Sequence, residues 1–257
     1  MANSLRNYNY LLACSNTKQA LVIDPYDAKR CLTAANSKGW QIRYIVNTHE
    51  HWDHVQGNQS LATATGATIM ALRQAQGKIE GVHQWLEANQ LIQLGEQINL
   101  KVLYTPGHTF AHLCLLSRPN SASESPKLFC GDTLFNAGAG NCHSGNVHDL
   151  YQSFTQVISQ LPDQTQVYPG HDYMENNLNF ALDREPDNQT AKELLKQTQQ
   201  QSPDQRTITN IALEKQINPF LRLNQISIYQ HLKQRFANLS QQPEEIFTHL
   251  RLLRNEW

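Results

Sequence analysis

The chain has 257 residues and a formal net charge of -1, with a sequence pI of about 6.8. This balance offers no basic stripe for nucleic acid, and no apolar run approaches the roughly 20 residues of a membrane span. Five scattered cysteines without a CxxC pair argue against a disulfide framework and for a reducing cytoplasm, and MANSLRNYNYLLACSN at the start lacks the pattern of a signal peptide.

In chain order, LLAC (11–14) and ALVID (20–24) read as strands of a hairpin closed by SNTKQ. DAKRCLTAANSKG (27–39) reads as a helix with Asp27 as N-cap and Gly39 as its stop. RYIVN (43–47) is a strand, and HVQGNQSLATATG a helix ending at Gly66. ATIMAL (67–72), INLKVLYT (98–105), HLCLLS (112–117), KLFC (127–130) and TQVYP (165–169) are further strands. HDLYQSFTQVISQL (148–161) spaces Leu150, Phe154, Val157, Ile158 and Leu161 as a helix does. After Tyr173 the pattern becomes helical throughout: NNLNFALDREPDN, TAKELLKQTQQQ, TITNIALEKQ, ISIYQHLKQRF and PEEIFTHLRLLRNEW. The expected organisation is therefore an α/β domain over 1–172 followed by a helical domain over 173–257.

Candidate ligands share one local grammar: an apolar strand ends, a Gly, Pro or Asn turns the chain, and a titratable side chain follows. IVN leads to His49, His51, Asp53 and His54, VLYTPG to His108, LFCG to Asp132 and QVYPG to His171. Loops at strand ends are where a rigid sheet presents converging groups. Five imidazoles and two carboxylates exceed one tetrahedral ion but suit two ions about 3.5–4 Å apart, which can acidify a shared water. No GxSxG elbow and no GxxxxGK[ST] loop offers a rival chemistry. Asp24, ending a strand in VIDP, reads equally as a carboxylate orienting a ligand or as a turn-starter. His143 reads equally as a group bordering the site or as a solvated loop residue. His83, His112, His148 and His231 read as structural or solvated.

THEHWDH, PGHT, GDTLF and YPGHDY together resemble the metallo-β-lactamase superfamily and, within it, the glyoxalase II or hydroxyacylglutathione hydrolase family. NPFLR (218–222) carries the resemblance into the helical tail. The resemblance implies an αββα sandwich with a C-terminal helical domain. One metal ion would take His49, His51 and His108, and the other Asp53, His54 and His171, with Asp132 bridging. Asp53, Asp132 and a metal-bridging hydroxide would form the catalytic centre. Zinc is favoured, with iron and manganese as alternatives. The implied reaction is hydrolysis of S-D-lactoylglutathione to D-lactate and glutathione, in methylglyoxal detoxification. A thiolate with a conjugate-acid pKa of about 8.5 leaves without a dedicated general acid.

The family's substrate contacts carry over unevenly. Tyr173, two residues after the last metal histidine, matches, as do Arg251 and Arg254 on the final helix. These two arginines, at i and i+3, are expected on one face, opposed to Ile246, Leu250 and Leu253. In AGAGNCHSG (137–145), however, Asn141 and His143 replace the usual basic residue and aromatic, so a basic anchor for a glutathione carboxylate is missing. The departure implies weaker glutathione binding or a different acyl-thiol. Competing readings are a mononuclear iron persulfide dioxygenase of the same fold, a metallo-hydrolase for another ester, and a non-catalytic scaffold; the full ligand set favours the thioester hydrolase. The expected partner is a small-molecule thioester, with no nucleic acid or membrane, and the expected state is a monomer.

Overall fold

The computed structural model describes residues 4–119, 121 and 124–257. Short apolar runs build two mixed sheets. The first contains β1 (Tyr10–Ala13), β2 (Gln19–Ile23), β3 (Gln41–Val46), β4 (Thr68–Leu72) and β5 (Gln84–Leu86), in that spatial order. β1 and β2 pair antiparallel as the expected hairpin, and β2 to β5 run parallel. The crossovers are α1 (Ala28–Ser37), then α2 (Trp52–Val55) with α3 (Asn58–Thr65). Asp27 caps α1 by accepting from the Arg30 amide, and Gly66 ends α3 in the left-handed conformation.

The second sheet draws on β6 (Leu91–Leu94), β7 (Ile98–Tyr104), β8 (Leu113–Ser117) and β9 (Lys127–Gly131). A small ribbon of β10 (Leu134–Phe135) and β11 (Gly138–Ala139) follows, and then β12 (Gln166–Pro169) joins the sheet, in the order β12-β9-β8-β7-β6. β7 and β9 are each antiparallel to β8, and β12 is parallel to β9. Hence β7, β9 and β12 run in one direction and deliver their following loops to one edge.

Strand alternation sorts the side chains into layers. Leu21, Ile23, Val46 and Met70 meet Leu100, Val102, Leu113, Leu115 and Phe129 between the sheets. Their strand neighbours Ala20, Val22, Ile45 and Ile69 pack outward on Cys31, Ala35 and Leu61 of the helices. On the far side Leu103, Cys114, Leu128 and Cys130 face the C-terminal helices. The layers are helix, sheet, sheet, helix.

Those helices are α4 (Val147–Gln152), α5 (Met174–Arg184), α6 (Gln189–Gln199), α7 (Ile211–Ile217), α8 (Ile226–Arg235) and α9 (Pro243–Glu256). Phe180, Phe220, Phe247 and Leu250 pack with Leu128, Phe154 and Val167 in one cluster, so the helical tail shares its core with the sandwich. NPFLR has a defined part in this: Asn218 donates to the Gly138 carbonyl at 3.0 Å, Phe220 enters the core, and Arg222 grips Glu185 with two bonds of 2.7 and 2.9 Å.

Three sequence expectations change. The helix read from HVQGNQSLATATG is two helices, because the Gly57 amide turns aside to the Pro25 carbonyl. The helix expected over 148–161 passes through a π turn at Ser153–Val157 and a 3-10 turn at Ile158–Gln160; Ser153 Oγ donates to the Pro106 carbonyl at 2.7 Å, where it ties the helix to the PGH loop. β5, β6, β10 and β11 were not expected, since two to four residues are too few to carry a periodic signal.

Phe247 is fully buried, with Phe154 and Phe220 ring centroids 5.3 and 5.1 Å away. Phe247→Ala should cost about 3–5 kcal/mol. Urea unfolding should shift to lower midpoint as one transition, because tail and sandwich share the core; two separated transitions would contradict the shared core.

Candidate metal centre

The motif at 49–54 is a strand end turning into one helical turn. The chain bends at Thr48 and His49 after β3 and brings the His49 and His51 rings together; His51 keeps an extended backbone as the N-cap of α2. The helical turn then carries Asp53 and His54. Loops after β7, β9 and β12 bring His108, Asp132 and His171. Two glycines make this approach possible. Gly131 has φ +45, and a Cβ there would lie 2.6 Å from Thr48 Oγ1; a Cβ on Gly170 would lie 2.2 Å from Asp132 Oδ1.

Each imidazole is held by its outer nitrogen, and at His49, His108 and His171 the partner fixes the tautomer. His108 Nδ1 donates to the Asn141 carbonyl at 2.8 Å and His171 Nδ1 to the Leu5 carbonyl at 2.7 Å. His54 Nδ1 lies 2.9 Å from Asp24 Oδ2, and His51 Nε2 lies 3.0 Å from Ser144 Oγ. Thr48 Oγ1 donates to Asp24 Oδ2 at 2.7 Å and therefore accepts from His49 Nδ1 at 2.9 Å. The inner nitrogens then carry lone pairs, and they converge. His51 Nδ1 is 3.0 Å from both His49 Nε2 and His108 Nε2, while His54 Nε2 is 3.2 Å from His171 Nε2.

Asp132 stands between the two groups, with Oδ2 3.6 Å from His108 Nε2 and 3.2 Å from His171 Nε2, and Oδ1 3.5 Å from His54 Nε2. Its Oδ1 is buried and has no hydrogen-bond partner among the described residues. Asp53 Oδ2 lies 3.5 Å from both His54 Nε2 and His171 Nε2 and accepts from Asn7 Nδ2 at 2.9 Å. Lone pairs facing one another beside an orphaned carboxylate oxygen are stable only around a cation. His49, His51 and His108 form one set whose ligand atoms lie within 4.8 Å of one another, and Asp53, His54 and His171 form another. The donors therefore fit metal ions.

Electrostatics point the same way. Burial and the surrounding imidazoles hold His49 far below its ordinary value, and burial takes His108 down to about 4 despite Asp132. At His54 burial opposes charge, but the Asp132 and Asp24 carboxylates outweigh it and lift the group to about 9. At Asp132 burial is overcome by His171 and His54, which hold the carboxyl well below the usual range. Without a cation, the pocket draws a proton onto His54 instead.

Beside the centre lies a cavity of about 230 Å³ whose walls include Tyr173, Asn141, His143, Arg251, Arg254 and Asn177. All five sequence-derived substrate candidates thus meet in one place. Tyr173 stacks on His171 at 4.8 Å with a 2° interplanar angle. Its phenol is pushed up to about 12 by burial and by Asp132 and Asp53, against the pull of Arg6 and Arg254. Arg254 donates to Asn177 Oδ1 from Nε and Nη2, at 3.2 and 3.1 Å. Arg251 departs from expectation. It is not opposed to the apolar face of α9 but buried with it, 5 % exposed, over the Phe220 ring at 5.5 Å. Nη1 donates to the Ala139 and Gly140 carbonyls at 2.6 and 3.1 Å, and these bonds make its burial tolerable.

Comparison with known proteins agrees with this geometry. A family model described as the metallo-beta-lactamase superfamily matches residues 6–171, and one described as the hydroxyacylglutathione hydrolase C-terminus matches residues 172–257. A protein of Nitrosococcus oceani named hydroxyacylglutathione hydrolase is 48% identical, over 100% of this chain and 97% of its own. The chain belongs to the hydroxyacylglutathione hydrolase family. A protein of Arabidopsis thaliana named cytoplasmic hydroxyacylglutathione hydrolase is 34% identical, covering 88% of each chain. Among solved structures, ETHE1 from Myxococcus xanthus superposes with a TM-score of 0.66 at 27% identity, covering 97% of this chain and 94% of that one.

The structure also gives residues of this hydroxyacylglutathione hydrolase family member roles that the sequence does not announce; His112, read as structural or solvated, is structural. His112 is fully buried, stacks on His49 at 5.0 Å, and accepts from the Asp132 amide at 3.0 Å through Nε2. Its only signal was a place four residues after His108. Asn7, Thr48 and Ser144 contact ligands but carry no metal-binding signature of their own. Asp24 is resolved as an orienting carboxylate: it has φ 51 and holds the Thr48 amide, the Thr48 hydroxyl and His54.

Two outcomes follow. Asp24→Asn keeps the left-handed backbone but removes the acceptor charge behind His54, and should weaken metal binding about 10- to 100-fold in a chelator-competition titration; unchanged affinity would contradict the orienting role. Metal uptake must also expel the His54 proton. Since that group is raised to about 9, affinity should climb as pH rises from 6 toward 9, with proton release on binding. A pH-independent affinity over that range would show that His54 holds no proton for the metal to displace.

Proposed function

We propose that this chain hydrolyses the thioester of an S-2-hydroxyacylglutathione, S-D-lactoylglutathione first among them, to the 2-hydroxy acid and glutathione. The observation that carries the reading is the inward-facing His and Asp cluster opening beside the cavity of Tyr173 and Arg254, in a chain 48% identical over its whole length to a protein named for that activity. His49, His51 and His108 would hold one divalent ion, and Asp53, His54 and His171 a second, with Asp132 shared. Zinc is the first choice, and iron or manganese suits the same donors. The chemistry such ions supply is an acidified water and polarisation of the thioester carbonyl.

The chain's own residues do the rest. Asp132 and Asp53 are the carboxylates that would border the reacting water, and Asn7 keeps Asp53 oriented. Tyr173 stays protonated at neutral pH and can donate a hydrogen bond to the peptide portion of the substrate. Arg254 supplies positive charge for a carboxylate, while Asn141 and His143 line the same cavity. The leaving thiolate, of conjugate-acid pKa about 8.5, needs no acid from the protein. Residues 1–172 would thus perform the chemistry and 173–257 would grip the thiol half. No helix among the described residues is long and apolar enough to cross a membrane, and all five cysteines are free, which supports a cytoplasmic site of action.

The direct test compares S-D-lactoylglutathione with other thioesters, using protein of measured metal content. Arg254 is partly buried, and a partly desolvated charge-assisted contact is worth about 1.5–3 kcal/mol. Arg254→Ala should raise KM by roughly 10- to 100-fold with kcat nearly unchanged, the signature of binding lost equally in ground and transition states. Asn141→Lys should lower KM for the glutathione ester, because the His108 support comes from the Asn141 backbone carbonyl and survives the change. Failure of both would point to another acyl-thiol.

A further inference from the structure

Among the described residues, Leu5, Arg6 and Asn7 run past the metal centre and are tied to it. The Leu5 carbonyl holds His171, the Arg6 carbonyl accepts from the Asp172 amide at 3.0 Å, and Asn7 holds Asp53. The Arg6 side chain is the exception. It is exposed, lies over the Tyr173 ring at 5.5 Å, and meets no carboxylate among the described residues. Its backbone has φ 56, a conformation suited to Gly, Asn or Asp and unfavourable for a long side chain. A strained backbone carrying a cation against a tyrosine that lines the cavity points to a function. Arg254 stands beside the same tyrosine from the α9 side, and Tyr173 and Arg254 both line the cavity.

We propose that Arg6 is a specificity-determining residue that, with Arg254, brackets Tyr173 and holds a carboxylate of the thiol half of the substrate. It supplies from the N-terminal wall the positive charge that Asn141 does not. This inference rests on the glutathione-thioester reading above. The contacts of Leu5, Arg6 and Asn7 fix the root of the side chain beside the metal centre.

The test uses the metal-loaded full chain with two substrates, S-D-lactoylglutathione and the lactoyl thioester of N-acetylcysteamine, whose thiol half bears no carboxylate. Arg6→Asn removes the charge and relieves the backbone. It should raise KM for the glutathione ester by about two- to fivefold, the range of an exposed ion pair, with kcat, the uncharged ester and the melting temperature preserved. Arg6→Glu should raise that KM further, and Arg6→Lys should restore most of it. Unchanged KM in both Arg6→Asn and Arg6→Glu, or an equal rise for both esters, overturns the proposal. So does a drop in melting temperature with KM untouched, which would make the stacking on Tyr173 structural. If the native chain itself shows no preference for the glutathione ester, the glutathione reading falls. A preference that persists in both variants overturns the Arg6 assignment alone.

Discussion

Five imidazoles turned inward on two carboxylates create the constraint on which the rest of this molecule depends. Ring nitrogens 3.0–3.2 Å apart, held from behind, repel unless a metal ion, or at His54 a proton, lies between them. A flexible chain would relieve the repulsion by rotating the rings. Here each ring is locked from behind by Asp24, Thr48, Ser144, or the Asn141 and Leu5 carbonyls. The protein thus stores binding capacity as preorganised electrostatics: the loss of rotamer freedom is met during folding, before any cation arrives.

The scaffold explains why the lock holds. Three like-directed strands of one sheet and the parallel β3 of the other end at a common edge, with the apolar interface of Val46, Leu113, Leu115 and Phe129 beneath them. Close-packed interiors transmit displacement and resist it. A glycine stands before Asp132 and another before His171 because these backbones pass within contact distance of Thr48 and Asp132. His112 closes the floor, stacked under His49 and bonded to the Asp132 amide.

Legibility in the sequence followed the range of the interactions. The converging histidines and aspartates were readable because strand end, turn and titratable side chain recur locally, and Asp27 and Gly66 because caps are local too. His112 was read no further than structural or solvated because its role needs partners at 49, 105, 132 and 133, which no local pattern brings together. Arg251 and Arg254 were rightly set on one face, yet the burial of Arg251 depended on carbonyls more than a hundred residues away. β10 and β11, two residues each, exist because Glu214 and Asn218 of the tail hold the Ala137 amide and the Gly138 carbonyl. Tertiary contacts made them, and their own sequence does not announce them.

The buried arginine also joins the two halves of the site. Arg251 holds the Ala139 and Gly140 carbonyls, the next residue's carbonyl holds His108, and His108 Nε2 faces His51 and Asp132. Burial draws the Arg251 guanidinium down to about 10, still charged at neutral pH, so the carbonyl bonds are charge-assisted and roughly twice as strong as neutral ones. The same helix presents Arg254 one turn later to the cavity. A single helix therefore both braces His108 through the 139–141 segment and lines the cavity beside the metal centre. A change in α9 at Arg251 reaches the metal centre through that segment.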